Sequence, residues 1–130
     1  HVIPALIRRI MEGENPLIVW GDGSATRSFL YVTDFAQGLM AVAERSRQVT
    51  AINIGTREEI TIRDLAEKLV RVSGKDVEIQ FDASKPAGQP RRCCDTALAE
   101  RLLEFRAQVP LEQGLTETVE WYSHHVATQA

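Results

Sequence analysis

The chain has 130 residues, with 15 basic and 18 acidic side chains, a net charge of −3 and a pI near 5.6. With 44% hydrophobic residues it has enough Ile, Leu and Val to offset chain entropy, which excludes disorder as its main state. A general nucleic-acid binder would need a surplus of Lys and Arg, and no apolar run approaches the ~20 residues that span a bilayer.

Several smaller features refine that picture. The two cysteines, Cys93 and Cys94, are adjacent and cannot make a secreted-type disulfide framework. A cytoplasmic location, without nucleic acid or membrane as partner, is therefore expected. The chain opens at His1, followed at once by the core-type residues Val2, Ile3, Leu6 and Ile7. Termini are usually loose and polar, so this opening reads as a piece of a longer protein.

The first helix is expected over residues 3–13. Val2, Ile3, Leu6, Ile7, Ile10 and Met11 fill one broad arc of its wheel, with Glu12 opposite, Arg8 far from the centre and Arg9 at the edge. Residues 17–20 read as a short buried strand, stopped by Gly21-Asp22-Gly23-Ser24. A second strand is expected over 28–32, rich in aromatic and β-branched residues. Thr33 or Asp34 is placed to cap the next helix, where Phe35, Leu39 and Val42 share a face.

Residues 51–54 read as a strand ended by Gly55. Thr61 and Asp64 resemble a capping box opening a helix with Ile62, Leu65, Ala66, Leu69 and Val70 inward, closed by Gly74. Val77, Ile79 and Phe81 alternate with polar residues as a half-exposed strand, and 82–92 form a loop bearing Pro and Gly. Thr96 is expected to cap a short helix carrying Leu98, Leu102 and Phe105, and a last helix covers 111–125. Five helices interleaved with four short strands make an α/β (α+β-like) unit over residues 1–130.

Much familiar chemistry is missing. A dinucleotide cradle needs Gly-x-Gly-x-x-Gly between a strand and a helix. Gly21-Asp22-Gly23 lacks the third glycine and leads into a strand, so it reads as a hairpin turn. Cys93 and Cys94 are too close for a metal knuckle and read as small buried hydrophobes. His124 and His125 fall in the last turn of a helix, where capping or exposure suits imidazole. No nucleophile, base and acid are placed together by spacing, so no catalytic residue and no metal ligand is assigned.

Two segments carry readings of both kinds. Arg27, at the root of a strand after the glycine turn, is either a solvated side chain or a guanidinium fork aimed into a cleft. Trp20, near it, is either core or a flat face for a base or sugar. Ser84-Lys85-Pro86-Ala87-Gly88-Gln89-Pro90-Arg91-Arg92 is either a solvated loop or a small positive patch stiffened by two prolines.

Read in order, the segments His1-Val2-Ile3-Pro4-Ala5-Leu6-Ile7-Arg8-Arg9, Val19-Trp20-Gly21-Asp22-Gly23 and Arg27-Ser28-Phe29-Leu30-Tyr31-Val32-Thr33-Asp34 resemble the C-terminal half of extended short-chain dehydrogenases. So do Asn53-Ile54-Gly55-Thr56, Phe81-Asp82-Ala83-Ser84-Lys85-Pro86, Gly88-Gln89-Pro90-Arg91-Arg92 and Glu112-Gln113-Gly114-Leu115. The family is the NAD(P)-dependent nucleotide-sugar epimerases and dehydratases, with the GDP-fucose synthases as the nearest subgroup.

The resemblance implies a single substrate-binding lobe. The family's Rossmann domain and its Tyr-x-x-x-Lys pair lie outside this chain: Tyr31 and Tyr122 are followed four residues on by Phe35 and Val126. It implies a nucleoside diphosphate sugar as ligand, with Arg9, Trp20, Arg27 and Arg92 on the substrate and His1 beside the cofactor of a full-length enzyme. NAD or NADP belongs to the full-length family, and none is expected for this chain alone. A chain lacking its partner domain would hide apolar surface as a homodimer or higher oligomer. The alternative is a freestanding truncated, non-catalytic domain that binds nucleotide or self-associates. The chain departs from the family at Ser28 and Thr33, where acidic residues are common, and at Glu104, where glycine is expected.

Overall fold

Helix α1 covers Val2–Met11 in a computed structural model that describes residues 1–47 and 49–126. It buries Leu6, Ile7 and Ile10, as the wheel requires, and leaves Arg8 outside against Glu12 at 3.9 Å. Strand β1 (Leu17–Trp20) pairs in parallel with β4 (Ile79–Asp82), Leu17 beside Ile79 and Trp20 beside Asp82. A second, three-stranded sheet runs β3-β2-β5, from Glu59–Thr61, Thr26–Ser28 and Arg91–Arg92. Helices α2 (Val32–Arg45), α3 (Ile62–Ser73), α4 (Ala97–Leu103) and α5 (Leu111–His125) complete the α/β unit.

The main core lies between α1, α3, α5 and the inner faces of β1 and β3, around Leu6, Ile10, Leu17, Leu65, Leu69 and Leu115. Each such side chain contributes about 1.5–3 kcal/mol on full burial. The expected Thr61–Asp64 pair opens α3, with the Asp64 carboxylate accepting from the Thr61 hydroxyl at 2.7 Å in place of the reciprocal backbone bond of a full box. Thr61 Oγ1 accepts from the Asp64 N–H at 3.0 Å, and Gly74 ends the helix in the left-handed region at φ 66°.

Elsewhere the local expectations shift. The second strand comes earlier, at Thr26–Ser28, because the chain turns helical at Val32. Neither Thr33 nor Asp34 caps α2; Tyr31 stands at the N-cap without a side-chain capping bond, its hydroxyl donating to Glu117 at 2.7 Å instead. Asp34 is instead almost wholly buried, and its carboxylate accepts from the Gln108 and Val109 N–H groups at 3.0 and 2.9 Å. It braces a loop 74 residues away. Sequence spacing cannot show that.

Residues 51–54 have no ladder partner among the described residues. Ile52 and Ile54 pack instead against the small cluster of Ala99, Leu103 and Phe105. Two unexpected strands, β3 and β5, bring the described total to five in place of four. Helix α4 buries Ala99 and Leu103 and leaves Leu102 41% exposed, so its inward face is one position round from the expected one. The Thr96 hydroxyl makes no capping bond and is held between Arg57 Nε and Glu100, both at 3.0 Å. Glu104 keeps a left-handed turn at φ 52°, the conformation that makes glycine the ordinary choice there. Its carboxylate meets Arg45 at 2.9 Å.

Candidate functional site

The glycine turn after β1 is a packing device. Gly21 and Gly23 have φ of 85° and 81°. A Cβ on Gly21 would stand 2.7 Å from the Ala87 Cβ, and one on Gly23 2.6 Å from Phe81 Cε1. The glycines thus let the turn lie directly against the proline loop and β4. Asp22 accepts from the Ser24 N–H at 2.9 Å and from its hydroxyl, which holds the carboxyl below the usual range. Arg63 fixes the turn from α3, donating to the Asp22 carbonyl at 2.7 Å while lying 3.9 Å over the Phe81 ring.

From this turn the chain enters β2, whose neighbours decide where Arg27 points. Arg27 pairs with Arg92 in the parallel β2–β5 register and with Ile60 in the antiparallel β2–β3 register. Paired residues share a face, so Arg27, Ile60 and Arg92 lie on one side of the sheet. Ile60 is in the core, and Arg27 then Arg92 follow it across the sheet, lining a cleft with the first residues of α1. Thr26, Glu59 and Arg91 take the other side.

Two adjoining clefts open on the arginine side. One, of about 730 Å³, is lined by His1, Pro4, Arg27, Arg92, Cys93 and Cys94 among others. The second, of about 560 Å³, is lined by Arg9, Trp20, Arg27, Pro86 and Ala87. His1, Val2 and Arg27 belong to both, so Arg27 stands at their junction. Trp20 is 62% exposed and forms wall, not core. Cys93 and Cys94 are half-buried cleft lining, in place of the buried packing expected of them.

Ion pairing separates these two arginines from their neighbours Arg9 and Arg91. Arg27 Nη1 donates to the Thr26 carbonyl at 2.6 Å. Among the described residues neither Arg27 nor Arg92 has a carboxylate partner, whereas Arg91 is bidentate on Glu59 at 2.9 and 2.8 Å. The Glu59 carboxyl is held below its usual range by Arg91 and then Thr26, and Arg91 is raised in turn.

Arg9 is held differently from a free fork. Its Nε bonds Glu14 at 2.6 Å, and its Nη2 bonds both Glu14 and the Ile18 carbonyl, the latter at 2.7 Å. The Glu14 bond raises Arg9 and lowers the Glu14 carboxyl. Nothing in the sequence singles out Glu14 or Glu59, because a carboxylate's partner is fixed by packing. The pairing of Arg9 with Glu14, five positions apart, is too far in sequence for a helical pair.

The glycine turn does not fit a dinucleotide's pyrophosphate. Gly21 and Gly23 are filled by Ala87 and Phe81 and precede a strand, leaving no helix N-terminus at that turn for a pyrophosphate. No group of His, Cys, Asp and Glu among the described residues could hold a metal ion. No described helix is long and apolar enough to cross a membrane.

Comparison with known proteins agrees with the fold. A profile of the NAD dependent epimerase/dehydratase family matches residues 1–55. The chain is 37% identical over 130 residues to a probable GDP-L-fucose synthase of Oryza sativa, covering 97% of this chain and 39% of that protein. It is 38% identical to the GDP-L-fucose synthase of Escherichia coli, over 94% of this chain and 42% of the relative. Among solved structures, UDP-glucuronic acid 4-epimerase from Bacillus cereus, in complex with UDP-glucuronic acid and NAD, superposes with a TM-score of 0.83 at 30% identity. That match covers 95% of this chain and 40% of the epimerase. UDP-glucose 4-epimerase from Thermotoga maritima, with UDP-glucose, gives 0.87 at 27% identity, over 95% of this chain and 40% of the other. The chain thus spans about two-fifths of the relatives it matches.

Proposed function

As a part-length member of the NAD-dependent epimerase/dehydratase family, the chain is, we propose, a lobe that binds and orients a nucleoside diphosphate sugar, closest in kind to that of GDP-fucose synthases. One observation carries the reading: two guanidiniums with no acidic partner among the described residues share a cleft beside an exposed tryptophan. Two such cations repel unless water or an anion lies between them. Arg27 and Arg92 take the diphosphate, and Trp20 with Pro86 offers an apolar face to the base or sugar. Arg9 lines the second cleft with its charge balanced by Glu14 and its Nε and Nη2 occupied by Glu14 and Ile18, so it contributes shape and its remaining N–H donors. His1, on the rim of both clefts, marks the side on which a full-length enzyme would hold its cofactor.

The chain's part in catalysis is then binding energy and orientation. Proton and hydride chemistry at the sugar is assigned to a separate dinucleotide-binding part, and the setting is the cytoplasm. Calorimetric titration with GDP and UDP tests the reading. A diphosphate should bind weakly, since two-fifths of a relative offers part of a site. Arg27→Ala should weaken it about tenfold, or about 1.4 kcal/mol. Unchanged affinity in Arg27→Ala refutes the site, and micromolar binding of NAD or NADP refutes the account of the cofactor.

One observation favours self-association as a second property. Val32, Phe35 and Leu39 fall at i, i+3 and i+7 of α2, and with Met40 they are 67%, 45%, 51% and 62% exposed. An apolar stripe of that kind favours a partner surface, here a second copy in a homodimer or higher oligomer.

A further inference from the structure

We propose that Glu59 is a positioning residue: from the back of the three-stranded sheet it pins β5 in register and so sets Arg92 beside Arg27 at the front. The proposal rests on the diphosphate reading above for its consequence, though not for its geometry. Strand β5 is two residues long and follows a loop with prolines at 86 and 90. Its approach to β2 begins with one bond, Thr26 N–H to the Pro90 carbonyl at 2.8 Å. So short a strand is marginal by itself. A slip of one residue would turn Arg92 to the back and Arg91 to the front.

Glu59 opposes that slip. It stands on β3, across β2 from β5, and its side chain is only 25% exposed. Its Oε1 meets Arg91 Nε at 2.9 Å and its Oε2 meets Nη2 at 2.8 Å, a two-point fork that fixes direction as well as distance. The Thr26 hydroxyl donates to the same carboxylate, tying the central strand into the clamp. Three strands therefore meet on one carboxylate. Arg92, next along β5, alternates to the opposite face and takes its register position beside Arg27.

Charge and position predict opposite outcomes, which makes the inference testable. Removing Glu59 adds a net positive charge near the cleft, and electrostatics alone would then strengthen anion binding. Loss of register would weaken it. The experiment titrates the full chain with inorganic pyrophosphate and with GDP, and follows amide exchange at residues 91–93. The proteins are wild type, Glu59→Ala, Glu59→Gln, Arg27→Ala and the exchanged pair Glu59→Arg/Arg91→Glu. Thermal melts confirm that each variant is folded.

Glu59→Ala should lower pyrophosphate affinity about fivefold or more, the scale of a lost charge-assisted contact, and speed amide exchange at 91–93. Glu59→Gln should fall in between, and the exchanged pair should recover both measures to within about twofold. Equal or tighter binding in Glu59→Ala, while Arg27→Ala still weakens it, overturns the proposal. Unchanged amide exchange in Glu59→Ala overturns it too. If neither Arg27→Ala nor Glu59→Ala alters binding but amide protection at 91–93 is lost, the diphosphate site fails and the clamp stands.

Discussion

Gly55 packs against Cys94, which lines the cleft that holds the two arginines, and replacing it with Ala tests how tightly Cys94 is held. A Cβ placed there would stand 2.2 Å from Cys94 Sγ, well inside an ordinary contact near 3.5–4.0 Å. The sulfur must rotate off its rotamer or residues 93 and 94 must move, which costs about 1–3 kcal/mol. Gly55 has no left-handed backbone, so Ala also gains about 0.4–1 kcal/mol by restricting the unfolded chain. The net expectation is destabilisation of about 0.5–2 kcal/mol. Cys94→Ala should remove the clash, because the Cys94 Cβ lies 3.9 Å from the position the new methyl would take. Gly55→Ala should therefore be neutral or mildly stabilising in that background. Urea unfolding of the four proteins of this cycle, at constant m-value, measures the coupling. Equal effects of Gly55→Ala in both backgrounds would show that the cleft wall yields without cost, and would refute the reasoning.

Stability should hold from neutral pH down to the usual carboxylate range and fall below it. The Glu59, Glu14 and Glu112 carboxyls are lowered by bonds to Arg91, Arg9 and Lys68, so their contribution is complete above the unfolded-state pKa and lost as pH drops through the folded values. Urea midpoints that decline from neutral pH downward would contradict this. Cys93 and Cys94 line the same cleft as Arg27 and Arg92, so a dianionic aromatic disulfide should label them faster than a neutral one of equal size. That bias should shrink in Arg27→Ala, and GDP should protect the thiols; no protection would place the nucleotide elsewhere. Light scattering should show a dimer or larger species that Leu39→Glu shifts toward monomer, and an already monomeric parent would count against the stripe on α2.

What the sequence determined by itself is the set of features that depend on near neighbours. The apolar arc of α1, the Thr61 cap on the Asp64 N–H, the left-handed Gly74 and the extent of α5 are set by contacts within a turn or two of helix. The motif order likewise carried the family and the α/β class. Tertiary structure decided whatever required a partner distant along the chain. Residues 51–54 have strand composition, yet they lie against α4 without a ladder partner among the described residues, because a strand exists only where another completes its ladder. Asp34 has the spacing of a cap but spends its carboxylate on residues 108 and 109. The cleft shows the same division. Arg27 and Arg92 were legible as cations on a turn and a stiff loop, but their placement on one face follows from the β2–β5 register, which joins residues 65 positions apart in the numbering. Glu59 and Glu14 carried no signal at all, since a carboxylate reveals its partner only after packing has brought the partner within hydrogen-bond reach.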